Sequence, residues 1–577
     1  MVAIDSGTVW EEIQRGLDYQ NKMGFAKSFP ELTDFVEGRQ WAAPTAKTKY
    51  MPRPVVNQCD SIVENKQSNI LSQSLKMIFS PEELEEGSDN EPLIKAGRDY
   101  TDAAATTWKD IDQDSLNEDF VNDILVLGTG IFHYYFDNDI TGGQFTPYKG
   151  KVQGEVIDPL DIIVGNPHLK ASQTQKQPWI AIRSHPSTVS LQEKAKKNGK
   201  DATLIVADDS KNNSKYATEK IDIAQAGTTT LWTKYYKENG QIMWIQVVEG
   251  LTVQDPTPLA PQGGKPFTLY PVEIGVFKKR RKCTFGRSVI EDIIPNQRAL
   301  NWGLGMMLLS VQQTAWPKII TKQGALLQTI TNEPGEIITD HNPSPGVDGI
   351  KFMQPPNFSS MPMTISKELM DMTRQVTGTT EVTSGEVIGA NMAASAIIAL
   401  QNQAKKPTEG NVQMLIRSLK RVGRIYEEFN KSHGTMPVPI KSEDEEGNEI
   451  TKTFVGADSK DINFDLKIDI TPTSVLSESL QMTVVKEMAD RQWLDKYAFV
   501  KYSPSNVIPA EMKVDFEKEE KQMLELQAQQ AQMQQQAGNI MGQLNPDETA
   551  AIQNDPAIIN RAMAQVGGGQ GAMSVQP

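Results

Sequence analysis

The sequence predicts an α+β chain, and three stretches carry that expectation. From Ser288 to Thr314 runs a long helical pattern, roughly 40 Å at about 1.5 Å per residue. Thr228–Val248 reads as a β-hairpin about Glu238–Asn239–Gly240, since an asparagine–glycine pair suits a tight turn that needs positive φ. A second helix, Pro362–Thr377, follows a stretch rich in glycine and proline, so two helices bracket a small β-rich insert.

At 577 residues the chain has room for three or four domains. A hydrophobic content of 38% and a mean hydropathy of −0.43 are low for a compact enzyme, yet not those of a disordered chain. Two cysteines, Cys59 and Cys283, exclude a disulfide framework and a cysteine-based zinc site. The first residues lack the charged-then-apolar pattern of a signal peptide. No run approaches the roughly 20 apolar residues of a membrane span. The expectation is a reduced, soluble, cytosolic chain. With 58 basic against 73 acidic residues, the net charge of −15 argues against gripping nucleic acid through a broadly basic surface. It admits a surface past which nucleic acid must slide.

Taken in order, Val9–Phe25 has helical spacing. Val55–Phe79 reads as one helix, with Val56, Cys59, Ile62, Val63, Ile70, Leu71 and Leu75 recurring at three and four. Glu91–Leu127 is mostly helical and ends on Gly128-Thr129-Gly130, a C-cap rather than a dinucleotide loop, because a helix precedes the glycines and a strand follows. Asp110, Asp112 and Asp114 imitate the opening of a calcium loop. Ser115 and Val121 stand where that loop needs glycine and glutamate, so a solvated helix face is the better reading. Ile131–Ile163 alternates short strands and turns, Pro186–Asn198 is a helix, and Lys200–Gln225 is a polar insertion. The hairpin aromatics Trp232, Tyr235, Tyr236 and Trp244 suit sheet packing.

The central helix is led in by Lys278, Lys279, Arg280, Arg281 and Lys282, then Phe285 and Gly286. Ser288 with Glu291 has capping-box spacing, Pro295 should kink the helix and Pro317 should end it. Trp302–Leu309 is apolar around most of its circumference, which demands burial among helices of its own chain or of neighbouring copies. Lys318–Pro356 reads as a compact αβ piece. After the helix bearing Ile365, Leu369, Met372 and Val376, Gly378–Asn391 is a loop. A third helix starts near Met392, is interrupted at Pro407 and resumes over Asn411–Asn430. Its stripe of Val412, Leu415, Ile416, Leu419, Val422, Tyr426 and Phe429 lies beside Arg417, Lys420, Arg421 and Arg424. Met436–Thr471 is β, with a hairpin over Glu443–Asn448. Ser474–Asp490 and Ser505–Gln536 are helical, and the glutamine-rich end leads into a mobile tail.

No catalytic constellation emerges. Each Gly-Lys pair lacks the following Ser or Thr of a phosphate loop, and Gly286-Arg287-Ser288-Val289-Ile290 lacks the second glycine of a nucleophile elbow. The histidines at 133, 168, 185, 341 and 433 show no metal-ligand spacing. No cofactor or metal is expected, and a structural or binding role is.

Several ordered stretches resemble the portal proteins of tailed bacteriophages, most closely those of short-tailed phages. They are RPVVNQCDSIVENKQSNI, LGTGIFHYYFD and GEVIDPLDIIV, then KCTFGRSVIEDIIPNQRALN through AWPKII, then VTGTTEVTSGE before AASAIIALQ, together spanning about residues 50–500. The resemblance implies a portal-type fold in a twelve-subunit ring. Its parts would be an N-terminal α+β wing in residues 1–287, a stem helix in 288–314, a clip in 315–361 and a second stem helix in 362–377, with both wing and clip β-rich. A tunnel loop would follow in 378–391, a wing helix and β segment in 392–475, a helical crown in 476–537 and a flexible tail in 538–577. It implies a non-enzymatic channel at a capsid vertex of the virion, assembled in the host cytoplasm, for packaging and ejecting double-stranded DNA. The implied partners are the terminase large subunit, the capsid or scaffolding protein, and head–tail adaptor or tail proteins.

Twelve copies at −15 sum to about −180, so a channel wall built from them should mostly repel phosphate. Lys367 and Arg374 are the expected weak phosphate contacts in the stem, and Glu381 and Glu386 would deter adhesion in the loop. The cluster Lys278–Lys282 has DNA, capsid or a neighbouring subunit's carboxylates open to it, and the inter-subunit role is preferred. Another head–tail component of the virion, or an enzyme of unrecognised type, are the alternative readings.

Overall fold

The computed structural model describes residues 6–46, 48–82, 90–143, 148–208, 227–315, 319–321, 350–352, 361–378, 394–443, 449–472 and scattered positions from 485 to 523. The chain divides into two units, Met1–Ser442 with Glu449–Pro472, and Glu443–Asn448 with Thr473–Pro577. The architecture below is that of the first.

The fold is α+β. Helices α1 (Ser6–Lys22), α2 (Phe25–Val36) and α3 (Gln58–Ile70) lead to strand β1 (Gln73–Pro81), then α4 (Glu91–Asp110) and α5 (Gln113–Val126). There follow β2 (Thr129–Thr141), β3 (Lys149–Val156), β4 (Ile162–Val164), β5 (Trp179–Ser184), α6 (Thr188–Lys197), β6 (Leu231–Glu238), β7 (Gln241–Val248), β8 (Leu251–Pro258) and β9 (Val272–Val276). A short pair, β10 (Lys278–Lys279) and β11 (Gly286–Arg287), precedes α7 (Ile294–Ala315). Then come β12 (Ile319–Thr321), β13 (Ile350–Phe352), α8 (Met361–Thr377), α9 (Ala394–His433), β14 (Val438–Glu443), β15 (Glu449–Phe454) and β16 (Phe464–Pro472).

Five strands form an antiparallel sheet in the order β4-β5-β6-β7-β8. The period of two along β6 turns Trp232 and Tyr236 towards Val9 and Ile13 of α1, while Leu231 joins Leu191 and Ala195 of α6. Lys234, on the α1 side, is buried; it donates to Glu12 and lies 5.1 Å over the Trp179 ring. The β6–β7 turn is the expected one, with Asn239 and Gly240 at φ 51° and 78°.

The main core surrounds a three-stranded sheet, β3-β2-β9. Phe120 of α5 stacks on Phe132 of β2 at 3.8 Å, and Gly130 and Gly275 carry no side chain where Phe120 and Ile124 press in. The predicted α9 stripe is buried from Val412 to Phe429. Two polar contacts fix its register. Gln113 Oε1 accepts from Tyr134 at 2.9 Å and Tyr426 at 2.7 Å, joining α5, β2 and α9. Glu273 Oε1 on β9 accepts from Arg421 at 2.6 Å and Ser418 at 3.2 Å, and its buried Oε2 has no partner among the described residues. Burial pushes the Glu273 carboxyl up to about 8, against the opposing pull of Arg421 and Ser418. Arg424 donates to the Phe464 carbonyl and to Glu427, so two of the four α9 cations serve the fold.

The structure departs from the sequence expectations in four places. Val55–Phe79 is not one helix, since residues from Gln73 form β1, paired antiparallel with β16. The central helix begins at Ile294, not Ser288, because the Ser288 hydroxyl donates to the Leu125 carbonyl and Glu291 binds Arg280. Pro295 therefore occupies the first turn, where no amide donor is required, and has no preceding turn to kink. Helix α9 runs through Pro407 as 40 continuous residues, the roughly 3 kcal/mol penalty of an interior proline falling on a single turn. The polar insertion from 209 onwards, the loop after Gly378, and most of the expected clip, crown and tail lie outside the described residues.

A carboxyl that titrates higher when folded than when unfolded stabilises the fold below the unfolded value, and that contribution is lost as pH rises through about 8. The stability of the wild type relative to Glu273→Gln, read from thermal melts, should therefore fall steadily from about pH 5 to about pH 9, by about 1.4 kcal/mol per pH unit at most. A difference that moved in the wild type's favour with rising pH would show that the Arg421 pair outweighs burial.

Candidate functional site

The base of α7 is set by two glycine turns far apart in sequence. Gly128, at φ 82°, closes α5, and a Cβ there would stand 2.4 Å from the Arg287 carbonyl carbon. A Cβ on Gly286 would stand 2.3 Å from the Gly128 oxygen. Between them, the Gly286 amide donates to Thr129 Oγ1 at 2.9 Å, Phe277 N to the Gly128 carbonyl, and Val289 N to the Leu125 carbonyl. Phe285 is buried against Phe25, with ring centroids 5.2 Å apart. The two glycine-containing stretches, LGTG and FGRS, are thus one contact.

The basic cluster sits on the hairpin this contact anchors. Lys278 pairs with Asp292 at 3.1 Å, and Arg280 pairs with Glu291 at 2.8 Å while donating to the Gly286 carbonyl. Arg287 also binds Asp292. Lys279, Arg281 and Lys282 are exposed and form no ion pair among the described residues.

A buried cluster of amides pins the first turns of α7 to the N-terminal helices. Gln297 Nε2 donates to Gln40 Oε1 at 3.0 Å and to the Val56 carbonyl at 2.6 Å, and Asn301 Nδ2 donates to Gln40 Oε1 at 2.6 Å. Gln40 in turn donates to the Phe35 carbonyl and to Asn57, the N-cap of α3. Gly305 lets Met51 and Pro52 approach. The amide pattern escapes sequence reading because its acceptors lie about 240 to 260 residues away.

Beyond this foot, α7 and α8 pair antiparallel. Asn296 Nδ2 reaches Thr373 Oγ1 at 3.4 Å, and Gly303 faces Ser366. The seam mixes small polar and apolar side chains: Ser366, Thr373 and Thr377 are buried, each hydroxyl donating to its own helix backbone, and half-buried Leu369 and Met370 share their face of α8. Several large apolar side chains lie off this seam. Trp302 is 50% exposed, Met306 49%, Ile365 48%, Met372 54% and Val376 58%. The burial expected for Trp302–Leu309 is therefore only partly supplied by its own chain among the described residues, with Leu304, Met307 and Leu309 half-buried and Trp302, Met306 and Leu308 exposed. Lys367 and Arg374, both exposed, stand seven residues apart on one face of α8. At roughly 100° per residue that face is nearly opposite the stripe of Ile365, Met372 and Val376. Glu381 and Glu386 lie outside the described residues. Among the described residues, no group of three or more His, Cys, Asp or Glu side chains is placed to hold a metal ion.

A family model described as "Phage P22-like portal protein" matches residues 92–562. Among curated proteins no sequence matches.

The glycine contact should tolerate no side chain. Gly128→Ala meets both a left-handed backbone and a 2.4 Å approach to Arg287. It should lower unfolding stability by about 3 kcal/mol or more, read by denaturant or thermal melting. Gly143→Ala, with open space around it, is the control and should cost little.

Proposed function

The chain belongs to the phage P22-like portal protein family, and on that premise we propose that it forms a ring at one capsid vertex through which double-stranded DNA is packaged and later ejected. As a portal protein it is a structural head-to-tail connector. In this reading α7 and α8 are the stem, and β12 with β13 the root of the clip in 315–361. The parts N-terminal to α7 form the wing with the segment 392–475, the loop 378–391 lines the tunnel, and residues 476–537 form a helical crown.

The observation that supports a ring is the exposed apolar side of the stem pair. A helix pair that leaves Trp302, Met306, Ile365, Met372 and Val376 exposed is complete only when further helices cover it. Copies of the same pair supply that cover. The third face of α8, bearing Lys367 and Arg374, then remains for the channel. There a few cations on an otherwise acidic wall give weak, salt-sensitive phosphate contacts suited to sliding. The energy of packaging comes from the terminase large subunit, and the portal itself has no catalytic role in this reading. Capsid or scaffolding protein and head–tail adaptor or tail proteins are its other partners, at the virion vertex and, during assembly, in the host cytoplasm. Among the described residues no helix is long and apolar enough to cross a membrane.

Mass photometry of the purified chain should show discrete particles near twelve times 64.0 kDa, with a central hole in negative-stain images. Met306→Asp and Met372→Asp should leave monomer melting within about 0.5 kcal/mol of wild type, because both side chains are exposed, yet abolish the rings. A stable closed dimer would count against the portal ring. For the channel face, Lys367→Glu with Arg374→Glu should preserve rings but reduce DNA packaged or retained per particle. Unchanged packaging and retention would remove the proposed phosphate contacts.

A further inference from the structure

We propose that Lys66 and Lys278 bind a small, doubly charged oxyanion of the inorganic phosphate or sulfate class, held where helix α3 meets the basic hairpin β10–β11. The site lies within one chain and is independent of the ring.

Spacing puts Lys66 on the apolar face of α3, four residues after Ile62, three after Val63 and four before Ile70, all of them buried. Lys66 itself is only 7% exposed, and among the described residues it makes neither a hydrogen bond nor an ion pair. A covered ammonium without an acceptor is costly, so buried lysines are ordinarily paired. The carboxylates of its own helix do not serve it. At roughly 100° per residue, Glu64 stands about 160° round α3 from Lys66 and Asp60 about 120°. Burial lowers the Lys66 ammonium from the usual lysine value, and the charge of Lys278, close enough to repel it, lowers it further.

Lys278 belongs to a chain of ion pairs that is itself short of anions. Asp292 serves both Lys278 and Arg287, and Glu291 serves both Arg280 and Arg287. With Lys66 beside them, four cations share two carboxylates, an excess of two positive charges. A dianion matches that excess, whereas chloride leaves half of it uncompensated. Access favours a small ion as well: an ammonium this covered can be met by an ion entering from solvent, and lies beyond the reach of the convex backbone of duplex DNA. An oxyanion between the two lysines replaces their repulsion with charge-assisted hydrogen bonds. It would tie α3 to the hairpin that precedes α7.

Equilibrium dialysis of the full chain against radiolabelled inorganic phosphate, in chloride at fixed ionic strength and neutral pH, should give saturable binding of one phosphate per chain. Sulfate should displace it, and nitrate, planar and singly charged, should do so at least about tenfold less well. Lys66→Met should weaken phosphate binding by about tenfold or more, the loss of one charge-assisted contact. Lys279→Met, exposed on the same hairpin, should leave it within about twofold. In chloride alone, Lys66→Met should melt at or above wild type, because the ammonium it removes has no partner to lose. Binding that fails to saturate, or that falls equally in both variants, assigns the anion to the diffuse charge of the loop and overturns the site. A Lys66→Met chain that melts below wild type in chloride overturns it too, since Lys66 then has an acceptor within the fold. So does Lys66-dependent binding of a short DNA duplex without any response to phosphate.

Discussion

No atom can be inserted between Gly128 and Gly286, and the placement of the whole central region follows from that exclusion. One glycine terminates α5 with a left-handed residue and the other brings a hairpin close enough to hydrogen-bond with it. Because the hairpin is clamped there, Ser288 is spent on the Leu125 carbonyl and the helix cannot begin until Ile294. Where α7 begins decides which of its side chains meet the N-terminal helices and which meet α8. A contact between turns 157 residues apart thus sets the polarity of helix faces well beyond it.

The two long helical regions obey opposite rules, and the contrast separates folding from assembly. Helix α9 buries its Leu and aromatic stripe and keeps charge at the margin, where Arg421 and Arg424 are drawn into ion pairs that fix its register. Over Val412–Phe429 that stripe is buried within one chain. The α7–α8 pair buries the hydroxyls of Ser366, Thr373 and Thr377 but leaves Trp302, Met306, Ile365, Met372 and Val376 about half exposed. Fully burying one such side chain stabilises by about 1.5–3 kcal/mol, a gain that the proposed ring would realise when neighbouring copies cover it. Thioether side chains suit the purpose, since their three rotatable bonds fill irregular gaps between helices of variable tilt.

Much of this was legible from residues alone wherever a local physical requirement acted. Asn239-Gly240 could be placed because only such a pair suits two positive φ angles, and Gly128 because a helix ended where a strand began. The α9 stripe was plain from its spacing. What escaped was decided at a distance. Leu75, Met77 and Phe79 fit either period, and the choice belongs to β16, nearly 400 residues on. Ser288 and Glu291 have capping spacing, but Leu125 and Arg280 claim them first. The partner of Glu273 could not be read because nothing local distinguishes Arg421 from the other cations of its helix. Of the proposed channel residues, spacing placed Lys367 and Arg374 on one face of α8, whereas which face of that helix meets α7 needed the helix pairing to be seen.

The outward apolar faces bear on how such a ring comes to have a definite size. In the proposed ring, an incomplete arc always ends in two uncovered stem faces, whatever its length, and each added subunit merely moves one of them along. Only the step that joins the ends removes both. Arcs therefore carry two uncovered faces that the closed circle lacks, so they should give way to closed circles. A sub-stoichiometric poison of one stem face would then halt many chains by capping a few ends.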